Sequence, residues 1–193
     1  MSHAPIHLRS AHSADAGRVV PLLVEAMDHV ALQLAGVDTW QAAVPLFVQM
    51  FEAGGNRYSH EYVLVMEIDG DIAGALLAYP GRDEAALAKP VLALLRERDP
   101  TAEPRHDMES ALDEFYLDAL TVAPAHRGGG HAARLIEAAC EYALEHGHTR
   151  AGLLVDLDKP RVKHLYQRLG FAVDGERMVA GHRYEHMVRH LHV

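Results

Sequence analysis

The chain has 193 residues, 49% of them hydrophobic and 6% aromatic, which is enough for one sizeable core of Ala, Val and Leu and too short for a second full domain. With 18 Lys and Arg against 27 Asp and Glu the net charge is -9; the counterion-release term behind nucleic-acid binding has little to work with, and the field leans weakly towards cationic small molecules or basic peptides. The single cysteine, Cys140, cannot form an internal disulfide, no apolar run reaches the ~18 residues of a membrane span, and the polar start carries no signal-peptide pattern, so the expectation is a cytoplasmic protein without membrane contact.

Ile6 to Arg9 alternates and predicts a short strand. A helix follows, capped by Ser13 or Asp15, with Val19, Leu22, Leu23, Ala26, Val30 and Leu34 on one face and Gly36 at its end; Pro21 either kinks it or marks its first full turn. Thr39 to Ala53 predicts a second helix, stopped by Gly54-Gly55. Tyr62 to Ile68 and Ile72 to Tyr79 are apolar, β-branched runs around Asp69-Gly70-Asp71, a strong hairpin signal. The stretch from Arg82 to Ser110 departs from this succession: a helix near Asp83 to Arg96, then a Pro-rich charged loop. It is either a substrate lid or dimer element, or a surface insertion without chemistry. Glu114 to Val122 is another strand. A glycine-rich turn then opens a helix with Ala132, Leu135, Ile136, Ala139, Cys140 and Ala143 on one face and Gly147 just past its end. Leu153 to Leu157 predicts a buried strand, Pro160 to Leu169 a short helix stopped by Gly170, and Phe171 to Val173 and Tyr184 to Leu191 the last strands.

The segment that carries chemistry is Arg127-Gly128-Gly129-Gly130-His131-Ala132, between a strand and a helix. Three successive glycines have no packing value and a high entropic cost, so they belong where a ligand approaches the backbone closely. At a helix N-terminus free N–H groups and the helix dipole attract anions, which points to a phosphate or pyrophosphate site made mainly of main chain, with Arg127 adding charge. Gly128 to Ala133 formally satisfies the G-x-G-x-x-A dinucleotide fingerprint. The intervening Ala123-Pro124-Ala125-His126, and the few strands left downstream, argue against a doubly wound nicotinamide-binding fold. Arg127, Gly130 and Ala132 together fit [QR]-x-x-G-x-[GA] instead.

With that loop and Leu165-Tyr166-Gln167-Arg168-Leu169-Gly170-Phe171 about 40 residues on, the stretch from Phe115 to Phe171 resembles motifs A and B of the GNAT (Gcn5-related) N-acetyltransferases. The preceding order of strand, helices and hairpin resembles the family's N-terminal half. The resemblance implies an α/β fold, a mixed and mostly antiparallel twisted sheet with helices on both faces, as a single domain over 1–193 with 82–110 inserted. It implies acetyl-CoA as cosubstrate, its pyrophosphate on the N–H groups of Gly128, Gly129, Gly130, His131 and Ala132, with Arg127 beside them. Main-chain groups of Leu120 and Val122 would bond the pantetheine arm, and a bulge near Leu120 would splay this strand from the one at 153–157. Tyr166 would protonate the leaving thiolate. Where family members carry Asn before this helix, the chain has Lys159, so no role of that Asn transfers. Dimers are common in the family, which makes a homodimer one expectation.

The residues support part of this independently. A phenol of ordinary pKa ~10 is protonated at neutral pH and can donate to a departing thiolate. The acceptor, a primary amine of a small molecule or peptide, must lose a proton before it attacks a thioester. Glu114, Tyr116 and Asp118 alternate and so share one face of their strand; Asp118 is the first candidate base, Glu114 the second, and water the third. The 15 histidines do not make a metal site: His182, His186, His190 and His192 share parity but spread too far along one strand at ~3.4 Å per residue. Cys140 reads as a buried structural thiol. The alternative to an enzyme is a non-catalytic acyl-CoA-binding regulatory domain, which would keep the loop and need no base.

Overall fold

The structure, a computed structural model, describes residues 5–192. The chain divides into two compact units, Met1–Ala78 with Ala119–Ile136, and Tyr79–Asp118 with Glu137–Val193.

The first unit opens with β1 (Ile6–Ser10), α1 (Ala16–Met27), α2 (His29–Ala35) and α3 (Trp40–Glu52). Val19, Val20, Leu23 and Val24 of α1 are buried, as are Ala43, Leu46, Phe47, Met50 and Phe51 of α3, and the two helices pack together. This spacing is that of apolar stripes on amphipathic helices. The single helix expected up to Gly36 is in fact two. Pro21 lies inside α1 without ending it, and the break falls at Asp28, whose φ of 52° leaves helical space. Neither expected cap acts on α1. Ser13–Asp15 form a 3-10 turn, and the Asp15 carboxylate accepts from His12 N (2.8 Å) and from Arg9. Arg9 also bonds Glu67 at 2.6 Å, and its guanidinium holds the Asp15 carboxyl down to about 2. α3 is capped by Thr39, whose Oγ1 accepts from Ala42 N. β2 (Val63–Ile68) and β3 (Asp71–Pro80) form the expected hairpin, with Asp69 and Gly70 both at positive φ (54° and 82°) as a tight two-residue turn requires.

The second unit holds α4 (Glu84–Arg98), the start of β4 (Phe115–Val122), most of α5 (His131–Glu145), β5 (Arg150–Asp156), α6 (Pro160–Arg168), β6 (Ala172–Val179) and β7 (His182–His190). β5 pairs antiparallel with β7 from Arg150↔His190 to Asp156↔Tyr184, and β6 with β7 over nearly its whole length. β4 pairs with β5 in parallel at Phe115↔Ala151, Tyr116↔Gly152 and Leu117↔Leu153. The seven strands follow the order β1-β2-β3-β4-β5-β7-β6 in an open, mostly antiparallel sheet. Two expectations need correction here. β6 runs on to Val179, well past the expected Phe171–Val173, and β7 starts two residues before the expected Tyr184, because Asp174, Glu176 and Arg177 carry no apolar strand pattern and the hairpin turns at Ala180-Gly181 (φ 49° and 79°), where alanine gives no turn signal. β5 also starts three residues earlier than expected, at Arg150, because Arg150 pairs at its side chain with Asp113 and Asp174 while its backbone joins the ladder.

Candidate active site

In the first unit, a short 3-10 turn at Pro124–His126 leads from β4 into the glycine loop, and α5 begins at His131. Gly128 and Gly130 have φ of 85° and 77°, and a Cβ at either would meet open space, so the backbone conformation is what demands glycine. At Gly129 a Cβ would lie 2.6 Å from the His131 Nε2 ring atom, so a side chain there would displace that imidazole. The first intrahelical bond is Arg134 N to Gly130 O at 3.2 Å, so the amides at 131–133 have no acceptor within the helix. Those amides and the loop glycines form a main-chain cradle of the kind that takes anions. Arg127 borders it. Its Nε donates to Val122 O at 3.0 Å, and its guanidinium, more than half exposed, lies 3.6 Å from Glu25. The His131 ring is close against the loop, and its buried Nδ1 has no hydrogen-bond partner among the described residues. Leu120 and Val122 lie in the half of β4 beyond its registered pairs with β5, and Ala123 N bonds Ala73 O.

In the second unit, Tyr166 lies on α6, 9% exposed, with its ring 6.1 Å from that of Phe171. Burial pushes its hydroxyl up to about 12, so it holds its proton across the neutral range. α6 starts with Pro160 at its first turn; Lys159 occupies the cap position and makes no side-chain cap. Gly170, at φ 85°, turns the chain so that Phe171 N returns to Tyr166 O.

The alternating β4 face also lies in this unit, and its three members differ in surroundings. Glu114 is fully buried just ahead of β4. Its Oε1 accepts from Ala111 N at 2.9 Å, and both oxygens face His186 Nε2 at 3.0 and 3.1 Å. The room for this carboxylate comes from Gly152 on the neighbouring strand, where a Cβ would fall 2.3 Å from it. Tyr116, buried, donates its hydroxyl to Glu109 at 2.9 Å. Asp118 is half-buried, and its Oδ2 accepts from Tyr79 at 2.6 Å.

His106, Glu109 and Ser110, in the segment before β4, are fastened to the start of α4. Glu84, fully buried, accepts from His106 Nε2 (2.7 Å), Glu109 N and Ser110 N (2.9 Å each) and the Ser110 hydroxyl. Burial alone would raise its carboxyl, but the donors from His106, Ser110 and the two amides outweigh that and hold it at about 2. Glu84, His106 and Glu109 also bring potential metal-ligand atoms within 4.8 Å of one another. The oxygens of Glu84 are already engaged by those four donors. Sequence reasoning did not find Tyr79, Glu84, Glu109 or the partnership of His186. The one available signal was Gly152, an isolated glycine in a strand, which marks close approach. Cys140 is buried, and burial pushes its thiol up to about 11, as an inert core thiol requires. No helix among the described residues is long and apolar enough to cross a membrane.

A model of the acetyltransferase (GNAT) family matches residues 37–171 of this chain. Among solved structures it is similar to an acetyltransferase at 28% identity and a TM-score of 0.77, covering 96% of this chain and 100% of that one. It shares the fold of an N-acetyltransferase from Staphylococcus aureus Mu50 (23% identity, TM-score 0.82, 94% and 99% covered). It also shares the fold of the PaiA N-acetyltransferase from Thermoplasma acidophilum in complex with coenzyme A (13%, 0.57, 96% and 99%). No curated protein matches the sequence.

Proposed function

Because the chain belongs to the acetyltransferase (GNAT) family, we propose that it transfers the acetyl group of acetyl-CoA to a primary amine of a small molecule or peptide by direct attack. The observation that carries the cofactor assignment is the loop: two left-handed glycines and a third beside the His131 ring, at the mouth of a 15-residue helix. Main-chain amides gathered at a helix mouth suit a diphosphate, and coenzyme A is what the T. acidophilum relative of the same fold holds.

The roles follow from the chemistry of each group. The N–H groups of Gly128 through Ala132 hold the diphosphate, and Arg127, kept at the loop by its bond to Val122 O, adds a positive charge. Main-chain groups of Leu120 and Val122 guide the pantetheine arm. Acetyl-CoA supplies an activated thioester carbonyl. Asp118, the half-buried and least enclosed member of the β4 face, takes the proton from the acceptor ammonium and leaves the nitrogen lone pair free to attack. Glu114 is second in line; its complete burial against His186 suits it to holding the β4 face rather than meeting a substrate. Tyr166, whose hydroxyl stays protonated because burial disfavours the phenolate, donates its proton to the departing sulfur. Much of the rate comes from holding amine and thioester in line.

Thiol release from acetyl-CoA, followed with a panel of a polyamine, an amino acid, an aminoglycoside and a peptide, tests this reading. Amine-dependent release, reduced about 10-fold or more in kcat by Tyr166→Phe, is the expected result. Binding of CoA without turnover on any amine would make the chain a binding domain instead.

A further inference from the structure

Tyr79 stands at the end of β3, fully buried. A buried phenol needs an acceptor, because an unsatisfied hydroxyl costs its full desolvation. Its acceptor is Oδ2 of Asp118, at 2.6 Å, the length of a bond strengthened by a charged partner. The bond matters for a base. The terminal torsion of a carboxylate is broad, so packing of the backbone alone does not aim its oxygens. A general base works only within hydrogen-bond reach of the proton it takes.

Tyr79 is itself held from two sides. Its ring packs against Tyr116 (centroids 5.8 Å apart, planes at 58°), and Tyr116 is tied down by Glu109. Two residues further along, Gly81 N donates to Glu114 O at 2.8 Å, and Ser110 Oγ, whose proton goes to Glu84, lies 3.4 Å from Gly81 O. A Cβ at Gly81 would sit 2.0 Å from Ala111 O, so only glycine allows this approach. Glu109 N and Ser110 N are in turn gripped by Glu84 at the start of α4. The end of β3, the start of α4 and the irregular segment before β4 are therefore one hydrogen-bonded piece, with Tyr79 and its hydroxyl at the end that meets Asp118.

We infer that Tyr79 is the positioning residue for Asp118, and that the inserted stretch after β3 serves as its buttress rather than as a mobile lid. The inference rests on the reading of Asp118 as the base. In the reaction the proton passes from the acceptor ammonium to Asp118, while Tyr79 keeps its own proton and its bond to Oδ2.

A double-mutant cycle tests it, with kcat measured on the best acceptor of the amine panel and melting followed in parallel. Asp118→Asn lowers kcat about 100-fold or more. Tyr79→Phe lowers kcat about 10-fold with KM for acetyl-CoA unchanged, and in the Asp118→Asn background it adds less than about twofold, since the two act as a unit. Ser110→Ala, which loosens the buttress without touching either residue, lowers kcat about threefold in the same sense and covers the case in which Tyr79→Phe folds poorly. The inference is overturned if Tyr79→Phe and Ser110→Ala leave kcat unchanged, if Tyr79→Phe acts only on KM, or if it costs as much without Asp118 as with it. An unchanged kcat in Asp118→Asn is a separate result: it removes the base assignment itself, and this inference with it.

Discussion

The glycine loop at 127–132 and the carboxylates of the β4 face solve the problem of charge in opposite ways. The loop uses main-chain amides, needs left-handed φ at two glycines, and takes its geometry from residues adjacent in sequence. The carboxylates are held by side chains and amides from elsewhere in the chain, Glu114 by His186 72 positions on, Asp118 by Tyr79 39 positions back. A local device can be rigid without a core beneath it. A long-range device is only as good as the packing that brings its members together, so damage to it is read as lost stability or turnover, and damage to the loop as lost affinity.

The largest expected effect follows from removing the partner of a fully buried carboxylate, Glu114. His186→Ala leaves Glu114 buried without its main donor, and denaturant unfolding is expected to show a loss of about 3 kcal/mol. CoA affinity at temperatures where the variant is folded should be unchanged. A loss of affinity with unchanged stability would erase the contrast between the two regions.

The second effect depends on pH. Glu84 is held at about 2 against an ordinary value of 4.5. A depressed carboxyl stabilises the fold above the unfolded value, and that contribution drains away as pH falls from about 4.5 towards 2. Glu84→Gln should therefore cost about 2 kcal/mol at pH 7, and its deficit against the natural chain should shrink steadily below pH 4.5. A deficit that stays constant from pH 7 to pH 3 would mean that the charge of Glu84 contributes nothing.

The smallest effect on stability belongs to the loop. Arg127 and Glu25 are 57% and 43% exposed at the side chain, and such pairs are worth about 0.5 kcal/mol or less. Arg127→Ala should leave the melting temperature nearly unchanged and weaken CoA binding about threefold. A large drop in stability would show that the arginine is a structural strut.

The same contrast explains what could be read from the amino-acid sequence. The loop, α5, the β2–β3 hairpin and the Tyr166-to-Gly170 segment were legible because each carries its signal within a few residues: glycines at a helix mouth, Asp-Gly between apolar runs, Leu-Tyr before Gly-Phe. The break at Asp28 was not, since nothing about that aspartate marks a left-handed φ of 52°. The β6–β7 hairpin was cut short because its exposed strand is polar and its turn begins with alanine. Around the β4 face the alternation of Glu114, Tyr116 and Asp118 was visible, but their partners were not. No local pattern pairs a histidine with a glutamate 72 positions away, and the tyrosine that bonds Asp118 reads as one more apolar residue at the end of a strand.

The central claim is that the loop's main chain grips a diphosphate, and calorimetric titration with CoA of the natural chain and of Gly130→Val tests it most directly. A β-branched residue cannot hold φ of 77° without about 1–2 kcal/mol of strain. The expected result is clear binding heat for the natural chain and a Kd at least about tenfold larger for a variant that still melts cooperatively. Equal affinity in the two, or no heat from the natural chain, would contradict the account.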